Sequence, residues 1–299
     1  MTDNYDKVSL LLPMNGANNG TVFPDWSPVL KTVTRVGAPV TSTAQFKYYD
    51  SSVSFPTNSD YLTVPYTSDF AFGSGNFTLE AWVRITTLNT TLGNQVFAID
   101  GPSSNFSVVL RFSGSHKATL QVTANGSTQV NAIGTTTITS GVWYHIAGVR
   151  DGNTLRIFLD GTEEATTAFS SSIWASPTRV AVAAWSVVPT QGLAGNLQDL
   201  RITKGVARYT ANFTPPTRLI GTISNADAGS DKIRDINGDP AERTVIAVPR
   251  SAPTRVFSDV SNASGEFEIQ APAGVDHSVV ALADEATLYN DIVHRVIPE

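Results

Sequence analysis

The chain has 299 residues, with 20 Lys and Arg against 26 Asp and Glu, a formal net charge of −6, and no basic cluster to attract nucleic acid or an anionic membrane. At 41% hydrophobic and 15% charged it has enough apolar residues to bury real cores, and its composition is neither disordered nor membrane-embedded. Cysteine is absent, which excludes disulfides and thiolate metal sites and suits folding in a reducing cytoplasm.

At roughly 100 to 200 residues per domain, two domains are expected. The opening "MTDNYDKVSLLLP" is acidic where a secretion signal is basic, and its apolar run is too short to span a bilayer. The expectation is a protein without signal peptide or membrane insertion. From there the dominant period is two. It runs through "FTLEAWVRI" (77–85), "NFSVVLRF" (105–112), "KATLQV" (117–122), "VWYHIAGV" (142–149) and "TLRIFLDG" (154–161), all read as strands. In the first of these Phe77, Leu79, Ala81, Val83 and Ile85 share a core-facing side. Thr78, Glu80, Trp82 and Arg84 share the other, under solvent or a covering loop. Asn125-Gly126, Asp151-Gly152 and Asp160-Gly161 favour positive φ and mark turns, Asp151-Gly152 as a two-residue hairpin. The sheets are therefore antiparallel, and the fold class is all-β, a large sandwich.

"LRITKGVARYTANFTPP" (200–216) reads as a last strand pairing near the N-terminal one, then a covering arm, then a stiff diproline exit. The boundary falls at residue 217, giving domains 1–217 and 218–299. Beyond it "RLIGTI", "TVIAVPR", "RVFSDV", "GEFEIQAP" and "HSVVAL" are five further short strands, a small C-terminal sandwich.

Chemistry is sparse. A retaining glycosidase needs two carboxylates about 5 to 5.5 Å apart. Glu80 and Asp199 could meet only if their strands were neighbours, and Arg84 or Arg201 stands ready as a salt partner for each. There is no Gly-x-Ser-x-Gly elbow. His145 reads as a strand histidine bonded to a neighbour, while His116, His277 and His294 lie in turn-like or terminal segments without metal spacing. No catalytic residue and no metal ligand is assigned. Calcium is possible as a cofactor through loop oxygens, with Asp235, Asn237 and Asp239 of "DINGD", Asp25, Asp100 and Asn196 as the oxygen-bearing candidates. For ligand binding the candidates are Trp26, Trp174 and Trp185, in irregular stretches where an indole could stack on a sugar ring. The alternative is that they staple loops to the sandwich. Trp82 and Trp143 lie in strands and should be packed.

Taken in order, "SLLLPMNGANNGTVFPDWSP", "STAQFKYYDSSVSFPTNSDYLTVPYTSDFAFGSGNFTLEAWVRI", "GVWYHIAGVRDGNTLRIFLDGT" and "GNLQDLRITKGVARYTANFTPP" resemble the concanavalin A-like, laminin G type sandwiches common in tailed-phage structural proteins. Met14, Asn15 and Gly16 replace the commoner Phe-Asp-Gly of the opening motif. Gly221-Thr222-Ile223, Gly238-Asp239-Pro240-Ala241, the Ser264 to Ile269 run and Pro272-Ala273-Gly274 resemble carboxypeptidase-regulatory-like, transthyretin-like modules. The resemblances imply a jelly-roll followed by an Ig/transthyretin-like module in a non-enzymatic virion protein of a tail fibre, tail tip or baseplate. Its partners would be other virion proteins and host cell-surface polysaccharide, with homo-oligomers possible. Alternatives are a capsid decoration or head-fibre protein, and a glycoside hydrolase.

Overall fold

The computed structural model describes residues 4–101, 105–175, 177–185, 192–224, 244–252, 254–273, 275–281 and 291–296. Two compact units emerge, one of residues 7–217, the other of residues 218–299 with 1–6. Among the described residues the only helices are single 3-10 turns at Tyr5–Lys7 and Ser68–Phe70.

The strands of the large unit begin with β1 (Val8–Leu12), β2 (Thr34–Val36), β3 (Val40–Ser42), β4 (Ser52–Phe55) and β5 (Tyr61–Pro65). Next come β6 (Phe77–Ile85), β7 (Asn94–Asp100), β8 (Phe106–Phe112), β9 (Lys117–Thr123) and β10 (Gln129–Thr137). The last are β11 (Trp143–Asp151), β12 (Thr154–Leu159), β13 (Thr162–Ala168), β14 (Arg179–Val182) and β15 (Gly195–Lys204). They form two sheets. The first runs β13-β12-β11-β6-β15-β4-β3, with β1 also paired to β15, and the second runs β10-β9-β8-β7-β14-β5-β2. Every pairing is antiparallel.

Alternation builds the core directly. Phe77, Leu79, Ala81, Val83 and Ile85 of β6 meet Val108, Leu110 and Phe112 of β8 and Leu120 and Val122 of β9 in one buried cluster. At roughly 25 cal/mol per Å² of apolar surface removed from water, this cluster is the main favourable contribution to folding. In β15 a bulge between Gln198 and Arg201, with Asp199 at φ 51°, resets the alternation, so that both Leu197 and Leu200 point inward.

Two turns decide the hairpins. Asp160 and Gly161 have φ of 48° and 79°, the type I′ pattern whose twist matches flanking strands. A Cβ on Gly161 would sit 1.9 Å from the Phe213 carbonyl oxygen, so glycine is required there twice over. The other hairpin differs from expectation by one residue. Asp151 pairs with Thr154, which leaves Gly152-Asn153 as the loop, because the β11 ladder runs one residue further than its apolar pattern.

The small unit contains β16 (Ile220–Ser224), β17 (Thr244–Pro249), β18 (Phe257–Val260), β19 (Glu268–Pro272), β20 (His277–Ala281) and β21 (Asp291–Val296). Pairing is β16-β19 in one sheet and β18-β17-β20-β21 in the other. Val245, Ala247, Phe257, Ile269, Ala271 and Val279 are buried. β21 is a sixth strand, absent from the sequence reading because its alternation is interrupted by charge. His277 opens β20, the "HSVVAL" strand, and His294, in the terminal segment, lies within β21.

Candidate functional site

The outer face of the first sheet holds the ionisable cluster that the sequence singled out. β6 and β15 are indeed neighbours, with Glu80 directly opposite Arg201. Glu80 is fully buried, and its Oε1 lies 2.7 Å from Arg201 Nη2. Its Oε2 accepts the Tyr209 hydroxyl at 2.7 Å and faces His145 Nε2 at 3.3 Å. The salt partner of Glu80 is thus Arg201, not Arg84, whose guanidinium reaches Gly141 O and Asn196 Oδ1. Burial alone would raise the Glu80 pKa, but the Arg201 charge and the His145 contact outweigh it and hold the carboxyl well below its usual range. A glycosidase acid needs the opposite shift. Tyr209 is pushed far up, by burial first and by the Glu80 charge second.

The arm after β15 seals this cluster. Thr78 Oγ1 donates to Val206 O and accepts from Arg208 N. Phe213 N donates to Gly161 O, and Trp82 Nε1 to Pro216 O at 3.0 Å. Tyr209 and Phe213 stack at 3.5 Å between centroids and pack on Ala147, Val149 and Phe158. Trp82 is buried, while Trp143 is only half-buried.

The three tryptophans proposed from the sequence are all half-buried but do not converge. Trp26 follows β1 on the first sheet, its N–H bonded to Leu11 O. Trp174 lies at the end of β8 and β9 in the second sheet. Its backbone bonds Thr123 O and Ser107 Oγ, and its ring rests on Gly126, where a Cβ would come within 3.0 Å of the indole. Trp185 packs on Phe106 (5.4 Å, edge to face), Ala98 and Val109 of the same sheet. Two of the three therefore flank one surface.

That surface is the outer face of the second sheet. Its strands alternate as the core requires, so Gln95, Ala98 and Asp100 of β7, Val109 and Arg111 of β8, Thr119 and Gln121 of β9, and Asn131 and Ile133 of β10 turn away from the core. Register places them in rows. Asn131, Gln121, Val109, Ala98 and Ala181 follow one another across five strands, and Thr119, Arg111 and Gln95 form the adjacent row. Gln95 and Gln121 are 0% exposed, whereas Arg111, Asn131 and Trp185 are partly exposed and Ile133 is open at 46%. Here hydrogen-bonding capacity is unused. Both amide atoms of Gln121, Gln95 Oε1, Arg111 Nε, Asn131 Oδ1 and Trp185 Nε1 are enclosed without a partner. Burial pushes the Arg111 pKa down. Asp100, by contrast, is paired with Arg179 at 2.9 Å.

The sequence reading missed these polar groups. Their signal was the Thr-x-Gln-x-Thr alternation of residues 119–123, polar on a strand whose other side is wholly apolar.

The oxygen-bearing side chains considered for calcium have other work. Asp25 accepts from Leu11 N, Ser27 N, Ser27 Oγ and Lys31 N, and Asn196 bonds Ser52 and Arg84. Asp235, Asn237 and Asp239 lie outside the described residues. Among the described residues no group of three or more His, Cys, Asp or Glu is placed to hold a metal ion, and no helix is long and apolar enough to cross a membrane.

No curated protein matches the chain. Among solved structures it is similar to the binding domain of botulinum neurotoxin serotype D, with TM-score 0.53 and 9% identity over 95% of this chain and 74% of that one. It is also similar to the binding domain of Paraclostridial Mosquitocidal Protein 1, with TM-score 0.52 and 14% identity over 98% and 74%. A third is the botulinum neurotoxin DC binding domain in complex with SialylT, with TM-score 0.50 and 10% identity over 94% and 72%. At such identities the likeness is one of fold. Residues 56–208, just over half the chain and most of both sheets, match the family described as "Concanavalin A-like lectin/glucanases superfamily", and the chain belongs to it.

Proposed function

We propose that this chain is a non-enzymatic virion component of a tailed phage, in the tail fibre, tail tip or baseplate, whose large sandwich binds a host-surface saccharide. The binding surface is the outer face of the second sheet, with Trp185 and Trp174 at its margin. One observation carries the site: Gln121, fully buried, uses neither atom of its amide, and Gln95, Arg111, Asn131 and Trp185 around it keep unused atoms too. Buried polar groups without partners are held by ordered water or by a ligand, and a saccharide supplies the paired donors and acceptors that amides match. Indole faces supply the apolar half of sugar recognition. One similar fold is seen in complex with SialylT, which fits a saccharide partner.

The particle assignment rests on the resemblance to tailed-phage structural sandwiches. Many copies on one particle would turn weak single-site contacts into firm attachment. Residues 218–299, following a boundary at 217, are read as a carboxypeptidase-regulatory-like accessory to other virion proteins.

Gln121→Leu tests the site. It removes unpaired polar atoms from a buried position, so it should leave stability unchanged or raise it by about 1 kcal/mol. It should also weaken co-sedimentation with host cell-wall or capsule polysaccharide at least tenfold, as should Trp185→Ala. A Gln121→Leu protein that binds normally removes the site. New reducing ends released from the polysaccharide would overturn the non-enzymatic reading.

A further inference from the structure

Arg111 sits in the middle of the polar rows, opposite Gln95 on one side and Thr119 on the other, and diagonal to Gln121. Directly opposed Cβ atoms in an antiparallel pair are about 4.5 to 5.5 Å apart, so these side chains form one patch. Its guanidinium carries a full charge in a chain of net −6, yet among the described residues no carboxylate pairs with it. Of the other charges on this face, Arg179 and Asp100 neutralise each other, and Lys117 at the start of β9 is a second cation. A half-buried cation with its Nε enclosed and unbonded is expensive to maintain unless an anion completes it. Arginine presents a planar fork of N–H donors that matches the two oxygens of a carboxylate.

Building on the saccharide reading of this face, we infer that it selects a carboxylate-bearing sugar, of the uronate or sialate kind, with the Arg111 guanidinium holding the carboxylate and the Asn131 amide, two strands away across β9, a ring hydroxyl. Gln95 Oε1 and both amide atoms of Gln121 are further unused groups beside the guanidinium. No carboxylate lies in these two rows to repel an anion, and Asp100, further along β7, is paired with Arg179.

The experiment uses the whole chain and four probes: trigalacturonate, its methyl ester, neutral galactotriose and sulfated galactotriose, titrated calorimetrically at fixed salt. Trigalacturonate should bind at least tenfold more tightly than its methyl ester, and more tightly than the sulfated sugar, whose tetrahedral oxygens fit the fork less well. Arg111→Gln should abolish the preference for acid, so that trigalacturonate and its methyl ester bind alike. Arg111→Lys should restore only part of it. Equal affinity for acid and ester overturns the charge inference and leaves the site standing. Preference for sulfate over carboxylate overturns it as well. Neutral and acidic binding that both survive Trp185→Ala and Gln121→Leu remove the site itself, and the inference with it. Absence of binding to all four probes counts against both. The acid-to-ester comparison on the unaltered protein needs no variant to fold.

Discussion

Glu80 is the hub of the first sheet's outer face, and removing its charge has a calculable effect. In Glu80→Gln the shape is kept, but one acceptor oxygen becomes an NH₂ facing the donors of Arg201 or Tyr209. Two charge-assisted hydrogen bonds at about 1.5 to 3 kcal/mol each are lost or inverted. Arg201, with a side chain only 16% exposed, is left without its anion. Breaking a buried pair from one side costs about 3 to 5 kcal/mol, in agreement with the bond count. For a unit of this size each kcal/mol moves the midpoint by about 2 to 4 °C, so a fall of roughly 6 to 20 °C is expected. All five tryptophans of the chain fall within residues 7–217, so indole fluorescence during thermal or urea unfolding reports the large unit alone. Glu80→Leu combined with Arg201→Leu should recover much of the loss, because apolar replacement of both partners relieves the stranded charge. A Glu80→Gln protein within about 1 kcal/mol of the parent would refute the hub.

Three further outcomes follow from the same geometry. The lowered pKa of Glu80 makes its contribution complete above the ordinary value of 4.5 and lost progressively as pH falls below it. The raised pKa of Tyr209 makes its contribution complete below 10.0 and lost as pH rises beyond it, so urea midpoints should be flat between these limits and fall outside them. Asp25→Ala strips four acceptor contacts from the loop after β1 and should cost about 2 to 4 kcal/mol in urea, with Asp25→Asn recovering part. Gly161→Val meets both a positive φ and the Phe213 carbonyl, so it should lower the midpoint and admit solvent to Tyr209, read as faster amide exchange at Phe213.

Much of this fold was legible because strands with one buried side write their alternation into the sequence. "FTLEAWVRI" coincides with β6, and the inward and outward sets are the ones its period dictates. Short or interrupted strands such as β2, β3 and β21 escape that signal, and so did the one-residue extension of β11. The site was harder to read. Glu80 and Arg201 lie 121 positions apart and meet only through the β6–β15 ladder, so the nearer Arg84 looked equally eligible. Gln95, Arg111, Gln121 and Asn131 are ordinary strand polars until register gathers them. The tryptophans were visible as a residue type, yet only packing on Gly126 and Phe106 tells that Trp174 and Trp185 flank the second sheet while Trp26 does not.

β15 occupies the middle of its sheet and is the last strand of the large unit to be made. Its partners β1, β4 and β6 are all synthesised long before it, and none can complete its ladder until residue 204 has emerged from the ribosome. During that interval half-built edges and apolar inner faces stand open, the condition under which chains stick to one another. Such long-range closure makes folding slow, set by the arrival of a single segment. Production yield should accordingly respond more to translation speed and chaperone supply than to small gains in native stability.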